Sequence, residues 1–218
     1  MKAKHEICTM RILVIAATKL EIGPLFVLNA PLDILISGIG VPSTIYHLQK
    51  RIQQMEYDFI IQAGIAGSFN NNIELGQTVL VKQDCFADVG IEEKENYSPI
   101  YKTGLSDEDE FPFMKGWLSN SDDNMKYGNL LKVKGITVNK VSDSELQKKQ
   151  FINNFNADIE SMEGAALHYV CLQEKIRFIQ IRSVSNYVGE RDKTKWKMKE
   201  AIQNLNKELA ILINELTN

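Results

Sequence analysis

With 218 residues, the chain suits one α/β domain or at most two small ones, and a 44% hydrophobic content supplies a substantial core. Charge is nearly balanced, 25 Lys and Arg against 28 Asp and Glu, which disfavours a polyanion-binding surface and hence a nucleic-acid partner. Three scattered cysteines (Cys8, Cys85 and Cys171) form no CxxC pair and no zinc-like cluster, so they read as small core residues in a reduced, cytoplasmic setting, with no metal or cofactor expected.

Residues 1–10 read as an N-terminal tail and residues 11–218 as one domain. The apolar run from Ile12 to Ala17 is too short for a membrane span, and Lys19 and Glu21 follow at once, unlike a signal peptide. Arg11–Ala17 therefore predicts a first buried strand. Leu32–Ser37 predicts a second, ended by Gly38-Ile-Gly40. Pro42 suits a helix first turn, and that helix runs to about Glu56 with Ile45, Leu48, Ile52 and Met55 on one face. Asp58–Ala63 predicts a third strand ended by a turn at Gly64-Ile-Ala-Gly67, and Thr78–Lys82 a fourth. The stretch from 91 to 128 is acidic and carries Tyr97, Tyr101, Phe111, Phe113 and Trp117. It reads either as an excursion with its own packing cluster or as a lid or subunit contact. Lys132–Val138 predicts a strand, Ser161–Glu174 a helix with Met162, Ala165, Ala166, Tyr169 and Val170 in a stripe, and Arg177–Val184 a strand. Thr194–Leu216 predicts a strongly amphipathic helix. Strands alternating with helices predict an α/β fold, a mixed sheet flanked by helices.

Ligands of open α/β sheets usually sit beyond the carboxyl ends of strands, which directs attention to Glu21, the two Gly-rich segments and Asn186. Glycines let backbone approach a ligand, but tight turns also use them for steric reasons alone. No GxxxxGK[ST] loop is present, and Gly38-Ile-Gly40-Val-Pro-Ser lacks the third glycine of a dinucleotide fingerprint. Glu163 opens a helix. A favourable helix-dipole contact is one reading, and it requires a solvated neighbourhood. Its neighbours Met162, Gly164, Ala165 and Ala166 are small or apolar, and Glu160 stands where a capping box needs Ser, Thr, Asp or Asn. Asn186 either ends a strand through a turn or serves a ligand. His5, His47 and His168 have no ligand spacing.

Five ordered segments carry a resemblance: Ile12-Leu-Val-Ile-Ala-Ala-Thr-Lys-Leu-Glu21, Ser37-Gly-Ile-Gly40, Gln62-Ala-Gly-Ile-Ala-Gly67, Glu160-Ser-Met-Glu163-Gly-Ala-Ala166 and Ile181-Arg-Ser-Val-Ser-Asn186. Together they resemble the nucleoside phosphorylase and nucleosidase superfamily. Phe86-Ala-Asp-Val-Gly90, Thr137-Val-Asn139 and Ser185-Asn-Tyr-Val-Gly-Glu-Arg-Asp192 with Trp196 are most similar to the futalosine hydrolases within it. The resemblance implies a single-domain nucleoside phosphorylase fold, a homo-oligomer, a purine nucleoside and water as reactants, and hydrolysis of the N-glycosidic bond with release of hypoxanthine, a step of menaquinone synthesis. It implies that Glu21 deprotonates the attacking water, Glu163 binds the ribose hydroxyls and Asn186 contacts the purine near N7 and O6. Gly40, Ile65, Ala66, Gly67, Val141, Met162, Ser185, Arg191 and Trp196 are the further substrate-binding candidates.

Methylthioadenosine/S-adenosylhomocysteine nucleosidases have Asp where this chain has Asn186, and Ser where it has Ile65. An Asn amide suits a 6-oxopurine better than adenine. The stacking Phe of that family is not obvious near Val141. Arg residues that hold phosphate in phosphorylases are missing from Ala17-Thr-Lys-Leu-Glu21 and Gly64-Ile-Ala-Gly67-Ser68, with Lys19 as an exception to consider. Another purine nucleosidase, a phosphorylase, or a nucleoside-binding protein without turnover are the competing readings. Glu21 argues against the last. Arg191, Lys193 and Trp196, or aromatics of the 91–128 stretch, are candidates for the benzoate-bearing 5′ arm of futalosine. Arg191 and Asp192 pairing to close a loop is the alternative.

Overall fold

Five apolar residues in succession, Ile12–Ala16, form strand β1, and all five are buried. The computed structural model that shows this describes residues 10–27, 32–120 and 129–217. Residues 1–9, with His5 and Cys8, and residues 121–128 of the aromatic stretch lie outside the described residues. After β1 come β2 (Leu32–Ile36), α1 (Val41–Gln54), β3 (Phe59–Ser68), β4 (Thr78–Asp84), β5 (Gly90–Glu93), β6 (Asn96–Pro99) and β7 (Leu118–Ser119). The chain continues through β8 (Leu131–Thr137), α2 (Glu145–Phe155), β9 (Ile159–Ser161), α3 (Gly164–Gln173), β10 (Arg177–Tyr187) and α4 (Met198–Thr217).

A strand covered on both faces reads as a continuous apolar run, and β1 shows why. Ile12, Val14 and Ala16 join one core with Leu205, Leu209, Leu212 and Ile213 of α4. Leu13 and Ile15 point to the opposite face, where Leu48 of α1 meets Leu167, Val170 and Cys171 of α3. β1 lies parallel between β2 and β3, and β10 runs parallel along the other edge of β3. β10 then pairs antiparallel with β4, β4 parallel with β8, β8 parallel with β9, and β9 antiparallel with the last residues of β3. Five strands thus close on themselves, and β1 and β2 extend from β3 as an open wing.

This closure corrects several expectations. Gly64-Ile-Ala-Gly67 is no turn: β3 continues through it because Gly64 to Ser68 pair with Arg182 to Tyr187. β10 likewise does not stop at Val184, but carries Asn186 within the strand after a bulge between Val184 and Asn186. The expected helix from Ser161 begins at Gly164, because residues 159–161 supply the strand that closes the ring, so Met162 precedes the helix rather than joining its stripe. The last helix starts at Met198, after a separate 3-10 turn at Lys193–Lys195. Helix α1 ends at Gln54, which leaves Met55 beyond it, extended and 38% exposed. The sequence pattern does not predict helix α2. Ser144 caps it by accepting from the Gln147 N–H, and left-handed Asn156 ends it.

Aromatic residues of the 91–120 stretch pack onto α2 and α3, Tyr97 on Phe151, Trp117 on Phe155 and Phe113 on Tyr169, and Phe113 also meets Phe86 of the loop after β4. Of the two expectations for this stretch, the described part matches the packing cluster. Cys85 and Cys171 are free and buried, and His168 is fully buried against Phe178. No helix of the described residues is long and apolar enough to cross a membrane.

Candidate active site

The carboxyl ends of β1, β3 and β10 open on one edge of the sheet, where the β9–α3 junction also arrives. They enclose a cleft of about 320 Å³. Glu21, Ile65, Ala66, Gly67, Val141, Met162, Glu163, Ser185, Asn186, Arg191 and Trp196 all line it. Gly40 does not line it, but its N–H donates to Glu163 Oε1 at 3.1 Å. A wider hollow of about 1010 Å³ lies at the amino-terminal end of the strands. Its polar groups are engaged locally: Asp58 accepts from the Arg11 N–H and Asp33 from the Tyr57 hydroxyl.

Glu21 is only 6% exposed, in the turn after β1. Its Oε2 accepts from Thr18 N–H at 2.9 Å and from Thr18 Oγ1 at 3.0 Å, and its Oε1 accepts from Ile65 N–H at 3.2 Å. Asn206 of α4 donates to the Glu21 carbonyl at 2.8 Å. The carboxylate is therefore fixed by Thr18 and by β3, and its backbone by α4, before any ligand arrives. Two carboxylate oxygens offer about four acceptor positions, so one remains for a water molecule.

Glu163 occupies the N-cap position of α3, yet its side chain makes no capping bond there. It is 5% exposed, unlike the solvated carboxylate that a dipole contact alone would give. Arg182 explains its direction. Arg182 Nη1 stands 3.6 Å from Glu163 Oε2, and Nη2 donates to Gln62 Oε1 at 2.8 Å. Gln62 Nε2 in turn donates to the Glu163 carbonyl at 3.3 Å. A Cβ on Gly64 would collide with the Arg182 guanidinium and stand 3.0 Å from Glu21 Oε1, so glycine is required beneath this cluster. Burial pushes the Glu163 pKa up, while Arg182 and the Gly40 N–H pull it down and the Glu21 charge pushes it up again; the net shift is upward.

Asn186 Oδ1 accepts from Ser185 Oγ at 2.9 Å, and its Nδ2 donates to the Tyr187 carbonyl at 3.1 Å. One Nδ2 hydrogen is left for a ligand. Ser185 is 1% exposed and orients Asn186. Beyond β10, Trp196 Nε1 donates to the Glu190 carbonyl and Lys195 pairs with Glu190 at 2.7 Å. Asp192 does not close the loop through Arg191; it caps the 3-10 turn by accepting from Thr194 N–H and Oγ1. Leu20, Ile39 and Val141 form an apolar rim, 68%, 61% and 40% exposed. Lys19 is exposed and does not line the cleft, and neither do the described aromatics of residues 91–120.

Sequence reasoning missed three residues here: Arg182, Gln62 and Glu160. A signal exists for the first, because a long cation between the apolar residues Ile181 and Val184 of a strand needs a buried partner. Glu160, 7% exposed and lining the cleft, stands out in the sequence only as the wrong residue for a helix cap.

Residues 14–218 match the family model described as Phosphorylase superfamily. The chain belongs to this superfamily. It is 29% identical to futalosine hydrolase from Thermus thermophilus over 82% of this chain and 80% of that protein. It is 28% identical to 5′-methylthioadenosine/S-adenosylhomocysteine nucleosidase from Buchnera aphidicola over 70% of this chain and 65% of that protein. Its fold is that of 5′-methylthioadenosine/S-adenosylhomocysteine nucleosidase from Helicobacter pylori, with a TM-score of 0.79 at 16% identity over 95% of this chain and 99% of that one.

The raised pKa of Glu163 predicts an acid limb. Activity that needs ionised Glu163 is expected to fall as pH drops through a value above 4.5, the ordinary glutamate value. The check is kcat/KM against pH, and a limb at or below 4.5 would separate Glu163 from activity.

Proposed function

We propose that this member of the superfamily is a futalosine hydrolase: it cleaves the N-glycosidic bond of futalosine with water, releasing hypoxanthine and dehypoxanthine futalosine, a step of menaquinone biosynthesis. The observation that carries this reading is Asn186, which shares one cleft with two fixed carboxylates. Cleavage of a C–N glycosidic bond builds positive charge on the ribose and negative charge on the departing base. Glu163 accepts the ribose hydroxyls and, with Glu21, stabilises the cationic sugar. Glu21 also holds the water and takes its proton as the oxygen attacks C1′. The free Nδ2 hydrogen of Asn186 meets the electron-rich N7–O6 edge of the base. An Asn side chain also suits the keto group of hypoxanthine, whereas an Asp in its place would favour adenine.

Water rather than phosphate is the nucleophile on this reading. Glu21, Glu160, Glu163 and Glu190 line the cleft, and Arg191 is the single cation among the lining residues. Four carboxylates repel phosphate, and the Arg182 charge is already matched by Glu163. The apolar rim suits the arene of the 5′ arm, and Arg191 its carboxylate. Residues 11–218 form the nucleosidase domain, in a cytoplasmic homo-oligomer that handles purine nucleoside and water, without nucleic acid or membrane.

Glu21→Gln keeps the shape of the site and removes the base. Futalosine turnover is expected to fall by about a hundredfold or more while binding changes only slightly. The rate of the unaltered enzyme is expected to be indifferent to added phosphate. Retained turnover in the variant removes Glu21 from the mechanism, and a phosphate-dependent rate makes the enzyme a phosphorylase.

Arg191→Ala separates the 5′ arm from the rest of the substrate. A loss of about tenfold on futalosine with little change on inosine is the expected pattern for a lost charge-assisted bond. Equal losses on both would reassign Arg191 to holding the loop.

A further inference from the structure

Two carboxyls in the cleft have no task in the mechanism above, and of these Glu190 is paired with Lys195 whereas Glu160 is not paired. Glu160 is 93% buried, since its exposure is 7%, and it lines the cleft. Among the described residues its carboxyl accepts no hydrogen bond and makes no ion pair. A carboxyl this buried with no protein partner is costly unless water or a ligand completes it from the cleft, which is the side its residue lines.

Strand register says where this carboxyl stands. Gly67 of β3 pairs with Asn186 of β10 on one side and with Glu160 of β9 on the other. Directly opposed residues of neighbouring strands project to the same face of the sheet. Asn186 and Glu160 therefore flank Gly67 as two walls flank a floor. Each strand spacing is about 4.8 Å, so the two outer backbones stand roughly 10 Å apart. The floor is bare because Gly67 has no side chain: a Cβ there would stand 3.1 Å from Val188 Cγ2 and 3.4 Å from Asn186 Nδ2. A flat bicyclic base lying over Gly67 turns one hydrogen-bonding edge to Asn186 and the other to Glu160.

We propose that Glu160 reads the purine: its carboxylate accepts the N1–H of a 6-oxopurine while Asn186 holds the opposite edge. This rests on the purine nucleosidase reading and adds a second specificity residue to it. A 6-oxopurine carries a hydrogen on N1. A 6-aminopurine has a lone pair there and faces the carboxylate as acceptor against acceptor. An N1-methylated 6-oxopurine has neither the hydrogen nor the room. Burial raises the Glu160 pKa to about 7, with Arg191 pulling it down and Asp88 pushing it up, so acid and carboxylate coexist near neutral pH and the N1–H of an arriving 6-oxopurine selects the carboxylate.

The test compares bases and nucleosides on the wild type, Glu160→Ala and the near-isosteric Glu160→Gln. Calorimetry with hypoxanthine, 1-methylhypoxanthine and adenine gives Kd values; hydrolysis of futalosine and of its 6-amino counterpart gives kcat and KM. The wild type is expected to favour hypoxanthine over both other bases by about tenfold or more, the worth of one hydrogen bond to a charged group. Glu160→Ala is expected to shrink that preference to near unity, by losing hypoxanthine affinity and by raising KM for futalosine more than it lowers kcat. Glu160→Gln, whose amide oxygen still accepts N1–H, is expected to retain part of it. A merely structural role would weaken all ligands alike and leave the ratios unchanged. If the wild type cleaves futalosine and Glu160→Ala keeps the wild-type preference, this proposal is overturned and the nucleosidase reading stands. If the wild type binds no purine and cleaves neither nucleoside, both are overturned.

Discussion

The site depends on one buried cation. Arg182 sits on β10 with 1% exposure and ties Glu163 to Gln62 of β3. A guanidinium in such a place must be matched, and removing one partner of a buried pair typically costs about 3–5 kcal/mol. That requirement explains several features at once. Gly64 is bare because the guanidinium lies over it. Glu163 turns away from the end of its own helix towards Arg182 and the Gly40 N–H. Gly40 can offer that N–H because its φ of 88° presents the backbone in a conformation glycine adopts freely. The same charge lies within reach of Asp84, which is fully buried, bound by Thr137 and Gln180, and pushed by burial up to about 6. Polar groups thus run from the cleft into the interior along one face of β10, while Ile179 and Ile181 pack against α4 on the other.

Three of the four carboxylates in the cleft divide by what holds them. Glu21 is fixed by backbone and hydroxyl donors, Glu163 by a cation and a backbone N–H, and Glu160 by nothing in the protein itself. On the proposed reading this matches their tasks. Two are pre-positioned to face the sugar, where charge develops in the transition state and reorganisation would be costly. The third waits for a base that brings its own donor. Asn186 belongs with the first two, since Ser185 and the Tyr187 carbonyl set its amide before the ligand binds.

Much of this was legible in the chain. β1 announced itself because a strand covered on both faces needs an unbroken apolar run. The positive φ values at Gly38 and Gly40 fit the turn read there. Glu21 and Asn186 are legible as residues near strand ends and Glu163 as a helix-start carboxylate among small, apolar neighbours, and the cleft brings them together. What stayed hidden depends on pairing between distant segments. Gly64-Ile-Ala-Gly67 looks like a turn unless β10 is known to run beside it. Ser161 looks like a helix start unless β3 and β8 are known to receive residues 159–161 as a strand. Helix α2 lacks a wide apolar stripe, with only Phe151 and Phe155 buried, so its periodicity was faint. Glu160 became meaningful only through its register with Gly67.

The most direct test of the account is to incubate the purified protein with futalosine, 5′-methylthioadenosine and inosine in phosphate-free buffer and identify the bases released. The account predicts hypoxanthine from futalosine, at a higher kcat/KM than adenine from 5′-methylthioadenosine. Preferred release of adenine, or no base from any of the three, would contradict it.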